Sequence, residues 1–191
     1  MKKQVKNPNG YRTLRIIAGK FKARKCIFPN QIEGLRPTQD RVRETLFNWL
    51  MGSVIDAKCL DAFAGSGALG LEALSRGAKS CHFVEKNKHA IHTLKENCLR
   101  LNINNVKITQ TDALSILASD VNYNLIFLDP PFAGNILEAA LDIILKNQNV
   151  DSSTLIYIEC AKESTPPILA QFTAYKSAST SNVFFALIHK N

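Results

Sequence analysis

The chain has 191 residues, of which 46% are apolar and 21% charged, enough to bury a core in one main domain with room for an extension. No run approaches the ~18 apolar residues of a membrane span, and the basic start, MKKQVKNPNG, lacks the apolar centre of a secretory leader, so a cytoplasmic protein is expected. The net charge of +8 is lopsided, +9 over residues 1–50 and −1 over residues 51–191, which points to a polyanion, nucleic acid before a membrane, as partner.

Residues 1–13 read as a mobile basic tail, with Asn7-Pro8-Asn9-Gly10 as a breaker. Two short runs, Leu14–Ala18 and Phe21–Phe28, flank Gly19-Lys20 and predict a β-hairpin from which Arg15, Lys20, Lys22, Arg24 and Lys25 project. A loop from Pro29 to Pro37 leads to Thr38 as the N-cap of a helix carrying Val42, Leu46, Trp49 and Leu50 at helical spacing. Phe47 and Trp49 are assigned to core packing in preference to base stacking. The division expected is a basic extension over 1–37 and a main domain over 38–191.

From Lys58 onward the pattern alternates. Strands are predicted near 58–63, 80–85, 106–110, 124–129 and 154–160, and helices near 67–76, 88–101, 113–118 and 135–147. Gly77 reads as a helix C-cap and Asn87 as an N-cap. Continuous apolar strands separated by helices mean a parallel sheet covered on both faces. The tail differs: two β-rich stretches, 171–178 and 183–189, predict a closing antiparallel hairpin. The five cysteines are scattered without a C-x-x-C and are expected to be buried, free thiols, with no metal site. His89 and His92, three apart on a helix, are expected to be solvated and not ligands.

The stretch that organises the rest is LDAFAGSGALG, residues 60–70. A strand ends at Asp61, and Gly65, Gly67 and Gly70 open a helix with the spacing of a nucleotide-binding turn. A doubly wound sheet binds its ligand at the carboxyl ends of its strands. Glu85 ends the second strand, eighteen residues after Gly67, where an acid accepts ribose hydroxyls. Thr111-Asp112-Ala113 follows the third, with Asp112 placed to meet an adenine amine or simply to cap a helix. The fourth ends in Asp129-Pro130-Pro131-Phe132. An acid, a proline carbonyl without a neighbouring N–H, and an aromatic face suit a planar base carrying an exocyclic amine. Asp129 and the Pro130 carbonyl would accept from the amine while Phe132 stacks on the ring.

The acid–glycine turn combined with DPPF resembles S-adenosylmethionine-dependent amino-methyltransferases of nucleic-acid bases. More closely, the chain resembles the RsmD family, which methylates the N2-amine of one guanine in 16S ribosomal RNA. The matching stretches are RIIAGKFKARK (15–25), GLRPTQDRVRETLFNWL (34–50), CLDAFAGSGALGLEALSRGA (59–78), FVEKN (83–87), LIFLDPPF (125–132) and LIYIEC (155–160). The resemblance implies a Rossmann-like class I methyltransferase sheet with a C-terminal antiparallel hairpin and an N-terminal β-hairpin extension holding RNA. It implies S-adenosylmethionine bound by Asp61, Phe63, Ala64, Gly65, Gly67, Glu85, Asp112 and Ala113, and guanine held by Asp129, Pro130, Pro131 and Phe132. Arg15, Lys20, Lys22 and Arg24 would grip RNA, and Arg36, Thr38, Arg41 and Arg43 would face the site or the RNA backbone. The partner implied is 16S rRNA, within an assembled or assembling small subunit, acted on by a monomer. One departure stands out: the family's last hairpin carries a glycine, and Ser177 to Phe185, SASTSNVFF, has none.

Three alternatives share parts of this pattern. A DNA adenine N6-methyltransferase uses the same turn and a similar tetrad but needs a target-recognition domain. A nicotinamide-dependent dehydrogenase shares only the glycine spacing. A non-catalytic RNA-binding assembly factor would keep the fold with a vestigial site. No cysteine accompanies DPPF, so direct transfer without a covalent enzyme intermediate is expected.

Overall fold

The structure is a computed structural model and describes residues 10–30, 38–119, 122–132 and 134–191. Seven strands form one sheet in the order β5-β4-β3-β6-β7-β9-β8. They are β3 (Lys58–Asp61), β4 (Ser80–Glu85), β5 (Val106–Gln110), β6 (Leu125–Leu128), β7 (Leu155–Ala161), β8 (Phe172–Ser179) and β9 (Val183–Lys190). The first five run parallel, and β9 joins β7 antiparallel and pairs with β8. The chain order reverses on either side of β3, so the ends of β3, β4 and β6 open onto a common crevice. The α/β class, the parallel sheet and the closing hairpin agree with the sequence expectation.

The helices follow their predicted positions closely: α1 (Asp40–Trp49), α2 (Ala68–Ser75), α3 (Lys88–Arg100), α4 (Ala113–Leu117) and α5 (Ile136–Lys146). Asn87 caps α3 by accepting from the His89 and Ala90 N–H groups at 2.9 and 3.2 Å. Gly77, at φ +103°, follows the last turn of α2, where a left-handed residue ends a helix without strain. One core lies under α1, α2 and α3 and a second under α4 and α5, so both faces of the sheet are covered. Phe47 is buried against Phe127 and Trp49 stacks on Phe185 at 5.3 Å, so the core assignment of both rings stands. All five cysteines are free and buried. Among the described residues no helix is long and apolar enough to cross a membrane.

The N-terminal hairpin needs correction. Its strands are β1 (Tyr11–Arg15) and β2 (Lys25–Pro29), so residues 11–13, read as tail, are strand, and residues 16–24 are a connecting loop. The reason is tertiary. Ile17 and Ala18 give their N–H groups to the Glu72 carboxylate on α2 at 2.8 and 3.0 Å, not to a strand partner. The Lys20 N–H bonds the Ser75 carbonyl at 2.7 Å, and a Cβ on Gly19 would lie 1.9 Å from that carbonyl oxygen. On the other side, the Asn97 amide of α3 accepts the Ile27 N–H at 2.9 Å and donates to its carbonyl at 2.7 Å. Leu14, Ile16, Cys26 and Phe28 enter the core shared with α1–α3. Each buried aliphatic or aromatic side chain of this kind stabilises by about 1.5–3 kcal/mol. Residues 1–9 and most of the loop over 29–37 lie outside the described residues, as does Arg36.

The last hairpin works without glycine. The Thr180 N–H reaches the Val183 carbonyl at 2.8 Å, and the Thr180 hydroxyl accepts the Val183 N–H at 3.1 Å. Neither Ser181 nor Asn182 takes a positive φ, so the turn makes no demand that only glycine could meet.

Candidate active site

The site is built on the loop after β3. The Asp61 side chain, 2% exposed, accepts the Gly70 N–H at 3.0 Å. Gly70 is the third residue of α2, whose N-cap is Gly67 and has no side chain to offer. Asp61 therefore satisfies an open N–H of that helix from a neighbouring strand. Gly65 and Gly67 take φ of +49° and +76°, a conformation unfavourable to residues with a Cβ. At Gly70 the reason is space: a Cβ would stand 2.2 Å from the Phe83 ring. The turn is also pinned from β4. Glu85 accepts the Gly65 N–H at 2.8 Å with one oxygen and the Asn87 N–H at 2.7 Å with the other. Ala64 donates to the Val84 carbonyl at 2.9 Å, and Phe63 packs on the second core.

Asp112 is held on both oxygens. One accepts the Leu114 N–H at 2.8 Å, capping α4 just ahead of the buried Ala113, and the other meets Lys86 at 2.5 Å. The Lys86 hydrogen bond and the Leu114 N–H hold its carboxyl below the usual range. The capping alternative for Asp112 is thus realised, with its position at the end of the crevice unchanged.

Asp129 follows β6 directly. Thr38 was expected to cap α1, but the N-cap is Gln39, and the Thr38 hydroxyl donates instead to Asp129 at 2.8 Å. The two residues lie 91 positions apart and are brought together by α1 packing on the sheet. Pro130 is buried, Pro131 is exposed, and the Phe132 ring is 47% exposed, open to stacking. These three line a cavity of about 370 Å³ with the first turn of α5, the end of β7 and Ser164 to Pro167.

Electrostatically the crevice is acidic. Burial, and behind it the charges of Asp129 and Glu85, push the Asp61 carboxyl up to about 7 against the lowering effect of the Gly70 N–H. Burial also raises Asp129, opposed by the Thr38 hydroxyl. Three carboxyls converging at strand ends suit a ligand that brings positive charge and donor hydroxyls.

Two expectations for arginines separate here. Arg41 is exposed on α1, as are Arg15, Lys20, Lys22 and Arg24 on the hairpin segment. Arg43 is a correction: it is fully buried, donating to the Arg15 carbonyl at 3.1 Å and to Asp40, with Glu72 at 3.6 Å. At helical spacing Arg41 and Arg43 point about 200° apart, so one faces water and the other the core. Arg43 ties α1 to the hairpin and cannot reach RNA. Residues not singled out in the sequence are Glu159 and Glu72. Glu159 had the signal that found the other acids, a place at a strand end; Glu72 had one too, an acid inside an otherwise apolar helix.

Residues 14–189 match the model of the family described as "Conserved hypothetical protein 95". Among curated proteins, ribosomal RNA small subunit methyltransferase D of Escherichia coli strain K12 is 39% identical over 97% of this chain and 96% of its own length. The protein of the same name from Haemophilus influenzae is 40% identical over 97% of this chain and 98% of its own. Among solved structures, the candidate methyltransferase yhhF from Escherichia coli superposes with a TM-score of 0.84 at 38% identity, over 94% of this chain and 99% of that one.

Proposed function

The chain belongs to the conserved hypothetical protein 95 family, that of ribosomal RNA small subunit methyltransferase D, and from that membership we propose that it methylates small-subunit ribosomal RNA, at the exocyclic N2-amine of a guanine, with S-adenosylmethionine as donor. The single observation that carries this reading is the constellation after β6: Asp129, fixed by Thr38, followed by two prolines and an open aromatic ring on one cavity wall. The acidic crevice fits the donor. Asp61 and the Gly65–Gly67 turn would hold its methionine part, Glu85 its ribose, and Asp112 and Ala113 its adenine end. When bound, S-adenosylmethionine supplies a methyl group already activated on a sulfonium.

The work left to the chain is alignment and charge. Asp129 accepts an N–H of the amine, which turns the nitrogen lone pair out of conjugation with the ring and toward the methyl carbon. Phe132 stacks on the base and fixes its plane. The product nitrogen becomes acidic only after transfer, and Asp129, which accepts from it, would then take its proton. The pocket admits only a base swung out of its stack, as RNA loops allow. The exposed basic residues Arg15, Lys20, Lys22, Arg24 and Arg41 would hold the surrounding phosphates.

The test is to incubate small subunits and bare 16S RNA, both from cells lacking the gene, with methyl-labelled donor, and to digest them to nucleosides. Label in N2-methylguanosine is expected, in particles more than in bare RNA. Label in another nucleoside would overturn the base assignment, and no label would overturn the activity.

A further inference from the structure

Glu159 stands near the end of β7, the strand beside β6 and therefore beside Asp129. It is 7% exposed and lines the same cavity as Pro130, Pro131 and Phe132. The Tyr157 hydroxyl, two residues earlier on the same face of the strand, donates to one carboxylate oxygen at 2.8 Å. Among the described residues no protein donor reaches the other oxygen. That oxygen is not one of the buried orphan atoms, so it opens on the cavity, where a ligand can reach it. Packing alone gives no reason for an acid at the wall of this pocket.

We propose that Glu159 reads the ring N1–H of the target guanine while Asp129 takes the adjacent N2-amine, so that the pair of acids selects guanine over purines whose N1 is an acceptor. The proposal rests on the reading of the base as guanine given above. Guanine presents N1–H and N2–H as neighbouring donors, and neighbouring strand ends here present two neighbouring acceptors. Adenine and 2-aminopurine present a lone pair at N1, which would meet the Glu159 carboxylate acceptor to acceptor. Tyr157 occupies the far oxygen and so turns the free one toward the base. Burial and the charge of Asp129 raise the Glu159 carboxyl in the empty site, and a donor arriving from guanine favours its ionised form again. Glu159 touches the substrate but not the reacting atoms; its role is specificity.

The probe is 2-aminopurine, which keeps the N2-amine and lacks N1–H. Small subunits reconstituted with guanosine or 2-aminopurine riboside at the labelled position would be assayed for kcat/KM with wild type, Glu159→Gln and Tyr157→Phe. Wild type is expected to prefer guanosine by roughly 10³-fold or more, the range seen when a site built for a donor meets an analogue without it. Glu159→Gln should lower the guanosine value by about 10²-fold and leave 2-aminopurine within about threefold, because an amide can donate to N1. Tyr157→Phe should narrow the preference in the same direction by less. A parallel fall on both bases, at unchanged donor binding, would make Glu159 structural and overturn the proposal. So would a wild-type preference below about threefold, which needs no variant. On the guanosine substrate, label in a nucleoside other than N2-methylguanosine would instead remove the premise, and the proposal with it.

Discussion

The proposed chemistry turns on the hydrogen bond from Thr38 to Asp129. On that proposal, replacing Asp129 by Ala would remove the amine acceptor and leave the residues assigned to the methyl donor in place. Transfer should fall below detection while the calorimetric affinity for S-adenosylmethionine changes by less than about threefold. Equal loss of both would deny Asp129 its role. Thr38→Val deletes the hydroxyl that donates to that carboxylate. The expected cost is about tenfold in kcat, the equivalent of one modest hydrogen bond. The pH profile adds a sign. Thr38 lowers the Asp129 carboxyl against the upward push of burial. Without it the acidic limb of kcat/KM should move to higher pH, and an unmoved limb would separate Thr38 from the reacting carboxylate. The sequence made Asp129 legible because a strand, an acid and two prolines are a local pattern. The local pattern at Thr38 read as a helix cap, and only the family resemblance pointed it toward the site, since nothing local announces a partner 91 residues away.

At the scale of elements, the hairpin is fastened by polar contacts into α2 and α3, not by a long ladder of its own. Glu72 is fully buried and accepts from Ile17, Ala18 and, at 2.7 Å, from the Arg76 Nε. Glu72→Leu should destabilise the protein by about 3–5 kcal/mol, because it leaves buried charge and backbone donors unpaired. Amides over 16–24 should then exchange before the sheet does, and simultaneous exchange would mean that the hairpin is held otherwise. By contrast, Arg15, Lys22 and Arg24 are exposed. Replacing the three with Gln should leave the melting temperature alone and reduce the salt slope of RNA binding by about two to three. An unchanged slope would remove the hairpin from the RNA contact. The hairpin's existence was legible from two apolar runs around Gly19. Its register was not, because Leu14–Ala18 alternates well enough for a strand and only the acid on α2 decides where pairing stops.

Across the whole molecule, the acids at the strand ends should couple binding of the proposed donor to stability. Asp61 is 2% exposed and its carboxyl is pushed up to about 7, whereas unfolded it would ionise near the usual ~3.9. Its contribution is therefore fully present below the unfolded value and is lost as pH rises toward 7, a change on the order of a few kcal/mol. The ligand-free protein should melt at lower temperature at pH 8 than at pH 5, and Asp61→Asn should flatten that slope. A donor carrying positive charge should raise the melting temperature more at pH 8 than at pH 6. A thermal shift equal at both would uncouple the acids from the ligand. The parallel sheet and its closing hairpin were readable because the strand–helix alternation is strong and boundaries such as Gly77 and Asn87 carry their own signals. The short 3-10 turns at Lys162–Ser164 and Pro167–Gln171 were not, for they carry no periodicity.

The junction at Glu72 also constrains how such a chain can diverge. One carboxylate serves two backbone amides, Arg76 and the neighbourhood of Arg43, whose Nε and Nη1 atoms already lack hydrogen-bond partners. Changing the acid first strands two arginines and two backbone amides, and changing an arginine first removes a counter-charge from a buried acid, so each single step lowers stability, and an apolar trio would still leave the Ile17 and Ala18 N–H groups unpaired unless their loop changed as well. Descent with one substitution at a time therefore crosses a valley here. Positions 43, 72 and 76 should change together or not at all.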